Sequence, residues 1–228
     1  ALVGMVHCNN CTSEINAWAN LFAQFGELFG MKFMPDELFT KLYSVALSGD
    51  PDCGGMLSYN YFSGEPVTGF ESGAPLFVRS AESKFTLANT MRMHLYSALA
   101  ALKVGMDLLL KEEHVTVDKL YGHGGFFKTK EAGQRIAAAA MNAPVSVMET
   151  AGEGGAWGIA LLAAYLMEKE NDSLGEFLNK HIFAGKEGSE RQPDEKDVEG
   201  FEQFMKRYRK GFEAERAAIQ TMTEAFLC

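Results

Sequence analysis

The chain has 228 residues and a net charge of −9. Apolar residues make up 47%, an ordinary share for a soluble protein and enough to fill one large domain or two small ones. The acidic balance offers no basic field to phosphate backbones, so nucleic acid is not an expected partner.

Leu2–His7 is short and apolar and predicts a strand. Asn9, Asn10, Cys11, Thr12 and Ser13 supply turn and cap chemistry, after which Ile15, Trp18, Leu21, Phe22 and Phe25 recur at helical spacing. Pro35 starts a second helix that runs to about Leu47, and Ser48–Gly55 is a loop. Leu57–Phe62 is aromatic and strand-like, Ser63–Gly73 is a loop broken by glycine and proline, and Leu76–Arg79 is another short strand. Thr86–Leu110 predicts a long helix striped by Leu87, Met91, Leu95, Leu99, Leu102, Met106 and Leu109.

Val117–Tyr121 predicts a strand, and three glycines crowd the residues from Tyr121 to Gly125. A helix over Lys130–Met141, a strand over Pro144–Met148, a second glycine turn at Gly152–Gly155 and a helix over Ala156–Lys169 follow. This order predicts a parallel βαβα unit with a right-handed crossover. Ligands of such sheets sit at the carboxyl ends of the strands, where both glycine turns fall. Glu168–Asp197 is charged and loop-rich, with a short helix near Leu174–His181. Asp197–Phe226 predicts one long amphipathic helix striped by Phe201, Phe204, Tyr208, Phe212, Ile219 and Met222.

No run of about 18 apolar residues predicts a membrane span, and no basic and apolar leader opens the chain. A cytoplasmic protein with reduced thiols is the expectation. His7, Cys8 and Cys11 form a lone Cys-x-x-Cys beside a histidine. A structural zinc site needs four ligands, and Cys53 and Cys228 supply no second pair, so Cys8 and Cys11 read as two thiols at a turn. Trp157 and the Leu/Ala helix after it read as core. Lys206–Lys210 reads as a solvated basic face. Glu65 and Glu71 read as solvated loop carboxylates, with water-mediated Mg²⁺ contact as the alternative.

A glycine cluster after a strand lets backbone approach a flat or charged ligand, and a helix starting near Lys130 would aim free N–H groups at that turn. The same glycines also suit a simple tight turn. Neither turn has the Lys-Ser/Thr of a phosphate-binding loop or the spacing of a dinucleotide fingerprint. His123, within the turn, reads as packing or capping it, with phosphate contact as the alternative.

Three segments together resemble the C-terminal domain of the FGGY carbohydrate kinases. The first is Tyr121–Leu166, with Gly124–Gly125, Thr129, Gln134, Ala143–Pro144–Val145, Glu149 or Glu153, and Gly158. The second is Met56–Phe77, with its Ser63-Gly64-Glu65-Pro66 run, and the third is Gly4–Trp18, where the helix reads Ile15-Asn16-Ala17-Trp18. The matches keep the family's order from Gly4 to Leu166. Phe126–Phe127 in place of small residues and Asn16-Ala17 in place of glutamine depart from its pattern.

The resemblance implies an α/β fold of the ribonuclease H-like, actin-like ATPase class, with a partly parallel sheet flanked by helices and a long C-terminal helix. Residues 1–170 would form the ATP-binding domain without its first strands, and 171–228 a helical extension packed on it. Gly124 and Gly125 would pass beneath the adenine or α-phosphate of ATP, Thr129 would face the nucleotide, and Thr12 and Asn16 would line the other side. ATP and Mg²⁺ are the implied cofactors. The implied reaction moves the ATP γ-phosphoryl to a hydroxyl of a pentulose or related polyol. The general base would belong to an N-terminal lobe absent from these residues, so the chain alone would be inactive. A catalytically silent ATP sensor or scaffold is the alternative. An exposed sheet edge left by missing strands would favour a homodimer.

Overall fold

The computed structural model describes residues 3–129, 131–148, 154–169, 171–184 and 188–226. Helix α1 (Ser13–Glu27) and helix α2 (Pro35–Ala46) come first, and α2 carries proline at its first position, where no N–H is needed. Strands β1 (Leu57–Tyr59) and β2 (Leu76–Val78) pair antiparallel, with Ser58 opposite Phe77.

Helix α3 (Leu87–Asp107) is the axis of the domain. The Thr86 hydroxyl caps its start by accepting from the Asn89 N–H at 3.2 Å. It is buried nearly all round, so Met91, Leu95 and Leu99 share the interior with Asn89, Arg92, His94 and Ser97. Burial holds the His94 imidazole neutral, with its pKa pushed down to about 3, and its ring packs on Trp18 at 4.9 Å. The stretch Leu87–Glu112 is long and apolar enough to cross a membrane, but 67% of its apolar window is buried within the domain. It is the core helix.

Strands β3 (Leu120–Gly122), β4 (Val145–Val147) and β5 (Ser189–Arg191) form the second sheet in the order β3-β4-β5. β3 and β4 run parallel, joined through helix α4 (Ala132–Met141), and β5 is antiparallel to β4. Gln134, buried on α4, donates to the Val145 carbonyl at 3.2 Å and the Ser189 carbonyl at 2.8 Å, so one amide ties helix to sheet. Helices α5 (Gly154–Glu168) and α6 (Leu174–Phe177) follow β4. Helices α7 (Glu195–Lys210) and α8 (Phe212–Phe226) complete the chain.

Several expectations are corrected. Of the expected strand Leu2–His7, the described residues 3–7 form none: Val3 and Met5 lie exposed and no described neighbour supplies a ladder, without which a short apolar segment has no reason to extend as a strand. The long C-terminal helix is two helices, parted at Gly211. There the Tyr59 hydroxyl donates to the Tyr208 carbonyl, capturing one of the last acceptors of α7. A Cβ at Gly211 would also stand 2.7 Å from Leu57. The α7 stripe of Phe201, Phe204 and Tyr208 is fully buried, whereas Met222 on α8 is half exposed.

Trp157 and α5 are not core. Trp157 is half-buried against Phe183, and Ile159, Leu162, Leu166 and Met167 lie exposed, because the described rings packed on α5 are Phe183 and Phe177 at the α6 turn. The basic run of α7 is not merely solvated either. Arg207 pairs with Asp52 at 3.3 Å and Arg209 with Asp107 at 2.6 Å, while Tyr208 between them is buried.

Candidate nucleotide cleft

An open cleft of about 570 Å³ lies between α1, α2 and the glycine turn after β3. That volume is in the range of small-molecule sites. Its lining includes Thr12 and Asn16 from the start of α1, Gly125, Lys128 and Thr129 from the glycine turn, and Asp36, Phe39, Thr40 and Tyr43 from α2.

The glycine turn is shaped by packing from below. Gly124 sits at φ 94°, a conformation that favours glycine, and Gly125 opens a single 3₁₀ turn to Phe127. A Cβ on Gly125 would meet nothing within 4 Å, so the backbone faces open space where a ligand can approach. Phe126 and Phe127 anchor the turn. Phe126 is buried edge-on against Tyr43 at 5.9 Å, and Phe127 fills the space a side chain at Gly122 would need. Neither aromatic lines the cleft; Phe126 supports it from behind through Tyr43, so these residues brace the turn without blocking it.

The opposite wall begins at Thr12. It precedes the first residue of α1, yet its hydroxyl makes no cap hydrogen bond. The free N–H groups of that first turn and the helix dipole favour an anion there. On α2, Asp36, Phe39, Thr40 and Tyr43 follow the i, i+3, i+4, i+7 spacing of one helical face, so one stripe faces the cleft. Thr40 donates back to the Asp36 carbonyl at 2.7 Å. Burial raises the Tyr43 phenol above its usual range and keeps it un-ionised. Lys128 gives the cleft a cation and Asp36 an anion.

Thr12, Asn16, Gly125 and Thr129 thus meet in one cleft, and Gly124 lies next to it in the chain without lining it. The α2 stripe and Lys128 were not anticipated. The 3.6-residue spacing of Asp36, Phe39, Thr40 and Tyr43 was visible, but it reads equally as an ordinary amphipathic face. The helix aimed at the cleft is α1 rather than α4, because the 3₁₀ turn pushes the start of α4 to Ala132. His123 is exposed rather than packed. Glu149, Glu153 and Gly152 of the second glycine turn, and Cys228, lie outside the described residues.

Glu65 is a correction of another kind, since it is fully buried and not a solvated loop carboxylate. Its Oε2 accepts from the backbone N–H of Asn9 at 3.0 Å and of Asn10 at 3.1 Å, and from Asn10 Nδ2 at 3.2 Å. Asn10 Oδ1 in turn accepts from the Phe62 and Ser63 N–H groups at 2.9 and 3.2 Å. This clasp fixes the loop that delivers Thr12 to the cleft. The neighbouring Cys8 thiol is pushed up to about 11 by burial and then by the Glu65 charge, so it is not an activated thiolate.

The cleft fits a nucleotide: a bare glycine backbone, a free helix start, aromatic side chains and one cation are all present. Among the described residues, no three His, Cys, Asp or Glu side chains group to hold a metal.

The model of the FGGY family of carbohydrate kinases, C-terminal domain, matches residues 1–167. No curated protein matches the chain. The xylulose kinase from Rhodospirillum rubrum is 17% identical with a TM-score of 0.67, over 91% of this chain and 38% of that one. The gluconate kinase from Lactobacillus acidophilus is 18% identical with a TM-score of 0.64, over the same shares of 91% and 38%. The glycerol kinase from Plasmodium falciparum, solved with ADP, is 18% identical with a TM-score of 0.55, over 73% of this chain and 32% of that one. The chain therefore spans less than two fifths of the solved structures it resembles, and the likeness is one of fold. With a family match over most of its length, the fold of that family's ribonuclease H-like C-terminal lobe and a cleft on the matched segment, this chain belongs to the FGGY family of carbohydrate kinases, as its C-terminal domain.

Proposed function

We propose that this chain is the ATP-binding lobe of a sugar kinase that moves the γ-phosphoryl of ATP to a hydroxyl of a pentulose-type sugar. Residues 1–170 form the lobe and residues 171–228 a helical extension of it. Gly124 and Gly125 pass beneath the adenine or α-phosphate, Thr129 faces the nucleotide, and Thr12 and Asn16 close the other side. Lys128 offsets phosphate charge. Mg²⁺ arrives with ATP and is held mostly by phosphate oxygens and water, as is usual for that ion. An N-terminal lobe holds the sugar and the general base, so the chain alone turns over no sugar. The protein works in the cytoplasm, and two copies pair as a homodimer.

The observation that carries this reading is the meeting of Thr12 and Asn16 with Gly125 and Thr129 in one cleft, from segments over a hundred residues apart. Neighbours whose names specify xylulose support the pentulose class, while gluconate and glycerol kinases share the fold.

Calorimetric titration of ATP into the chain, with Gly125→Phe as the control that fills the cleft, tests the site. Wild-type binding that Gly125→Phe abolishes is the expected result. Equal binding by both would remove the cleft from consideration. Turnover by a two-lobed protein carrying this segment, assayed on pentuloses, pentitols, hexuloses and glycerol, identifies the sugar. ATP binding without turnover on any of them would instead favour a silent ATP sensor.

A further inference from the structure

We propose that Asp197, on α7, is a positioning residue that holds the two walls of the nucleotide cleft at their working separation. The inference rests on the cleft being the nucleotide site. Asp197 lies outside the family-matched segment 1–167, so nothing in that match assigns it a role.

The geometry is a single carboxylate shared by two arms. Asp197 Oδ1 accepts from Arg92 Nη1 at 2.7 Å, with both side chains nearly out of solvent. Arg92 carries that restraint to α2: its Nε donates to the Ala46 carbonyl at 3.0 Å and its Nη2 to the Leu47 carbonyl at 3.2 Å. These are the terminal acceptors of the helix whose Asp36–Tyr43 face lines the cleft. The second arm runs from Asp197 Oδ2 to Arg135 Nη2 at 3.4 Å. Arg135 lies on α4, the helix that follows the glycine turn carrying Gly125, Lys128 and Thr129.

The carboxylate itself is fixed. Asp194 caps α7 by accepting from the Lys196 and Asp197 N–H groups at 3.0 and 3.2 Å, and Asp197 sits in the first turn, where the helix dipole favours negative charge. Phe201, Phe204 and Tyr208 bury the rest of α7 in the same core. A helix is rigid over ten residues, so a shift at the Ala46 end moves Phe39 and Thr40 at the cleft. Losing the shared charge lets α2 and α4 reposition independently, which a bound nucleotide spanning both would register as weaker affinity.

The test compares ADP affinity, by calorimetry on the full chain, for wild type, Asp197→Asn, Arg135→Gln and Arg209→Gln. All are measured well below their melting temperatures, with the folded fraction checked by circular dichroism. Asp197→Asn should weaken ADP by about 3- to 30-fold, the range of coupling carried by packed networks. Arg135→Gln, which severs the α4 arm alone, should weaken it by about 2- to 10-fold. Arg209→Gln breaks a different α7 ion pair, with Asp107, and should lower the melting temperature without changing affinity. A purely structural role for Asp197 would lower stability and leave the affinity of the folded protein unchanged. ADP affinity within about two-fold of wild type in both cleft-wall variants would overturn the positioning role while leaving the nucleotide site intact. If Asp197→Asn does not fold, Arg135→Gln decides alone. No ADP binding by wild type would overturn the site and the positioning role together.

Discussion

Glu65→Ala removes the acceptor from a loop that depends on it. In the native protein Glu65 Oε2 receives three N–H groups, two from the backbone of Asn9 and Asn10 and one from the Asn10 side chain. Asn10 is buried, so its backbone N–H loses its partner with no route to bulk water, whereas its Nδ2 keeps the Ser63 carbonyl at 3.2 Å and Asn9 is exposed and turns to solvent. Each stranded buried donor costs about 1–3 kcal/mol. Glu65 Oε1 has no partner in the native state, so removing it returns part of that loss. The net cost is about 1–3 kcal/mol. For a chain of this size that corresponds to a fall of roughly 2–12 °C in melting temperature. Glu65→Gln keeps an acceptor at the clasp and should lose about 1 kcal/mol or less. Urea unfolding and thermal melts of the two variants measure both costs. ADP affinity should fall with Glu65→Ala, since Thr12 and Asn16 follow directly on the loosened loop. A Glu65→Ala protein within about 0.5 kcal/mol of wild type, the scatter of ordinary surface substitutions, would refute the clasp.

Two further outcomes are expected. Gly200→Ala places a methyl group against the Pro51 backbone, where α7 crosses the loop before β1, and should cost about 1–3 kcal/mol of stability by urea unfolding; an unchanged midpoint would mean that the helix slides freely. Glu215 on α8 is fully buried, with Oε1 accepting from the Ala74 N–H at 3.1 Å, and burial pushes its carboxyl up to about 7. The folded state keeps its proton where the unfolded state has lost it, so stability should fall as pH rises from about 4.5 to about 7. Glu215→Gln should flatten the melting temperature across that window, and a slope equal to that of wild type would count against Glu215 as its source.

Much of the cleft was legible because its chemistry is local. The glycines at 124 and 125 announce a backbone that must come close to something, and Thr12 followed by helical spacing announces a helix start. The resemblance then joined the two. The α2 wall was not legible. Asp36, Phe39, Thr40 and Tyr43 carry the period of any amphipathic helix, and only the placement of α2 beside the glycine turn gives that face a cleft to line. Glu65 misled for a related reason. A glutamate between glycine and proline usually faces water, and it is buried here only because Asn9 and Asn10, 56 and 55 residues away along the chain, bring three donors to it.

Caps, proline and apolar period act within a few residues, so the starts of several helices and the buried stripe of α7 could be read from the chain alone. Thr86 before α3, Pro35 opening α2 and the Phe201, Phe204 and Tyr208 stripe of α7 are all of that kind. Contacts between distant segments settle what no local rule reaches: that the apolar α5 stays largely exposed, that α7 ends where Tyr59 takes the Tyr208 carbonyl, and that Asp197 is shared between Arg92 and Arg135. The difference is one of range. Backbone propensity and capping are settled by neighbours in the chain, whereas burial and charge pairing are settled by neighbours in space, which only the folded core supplies.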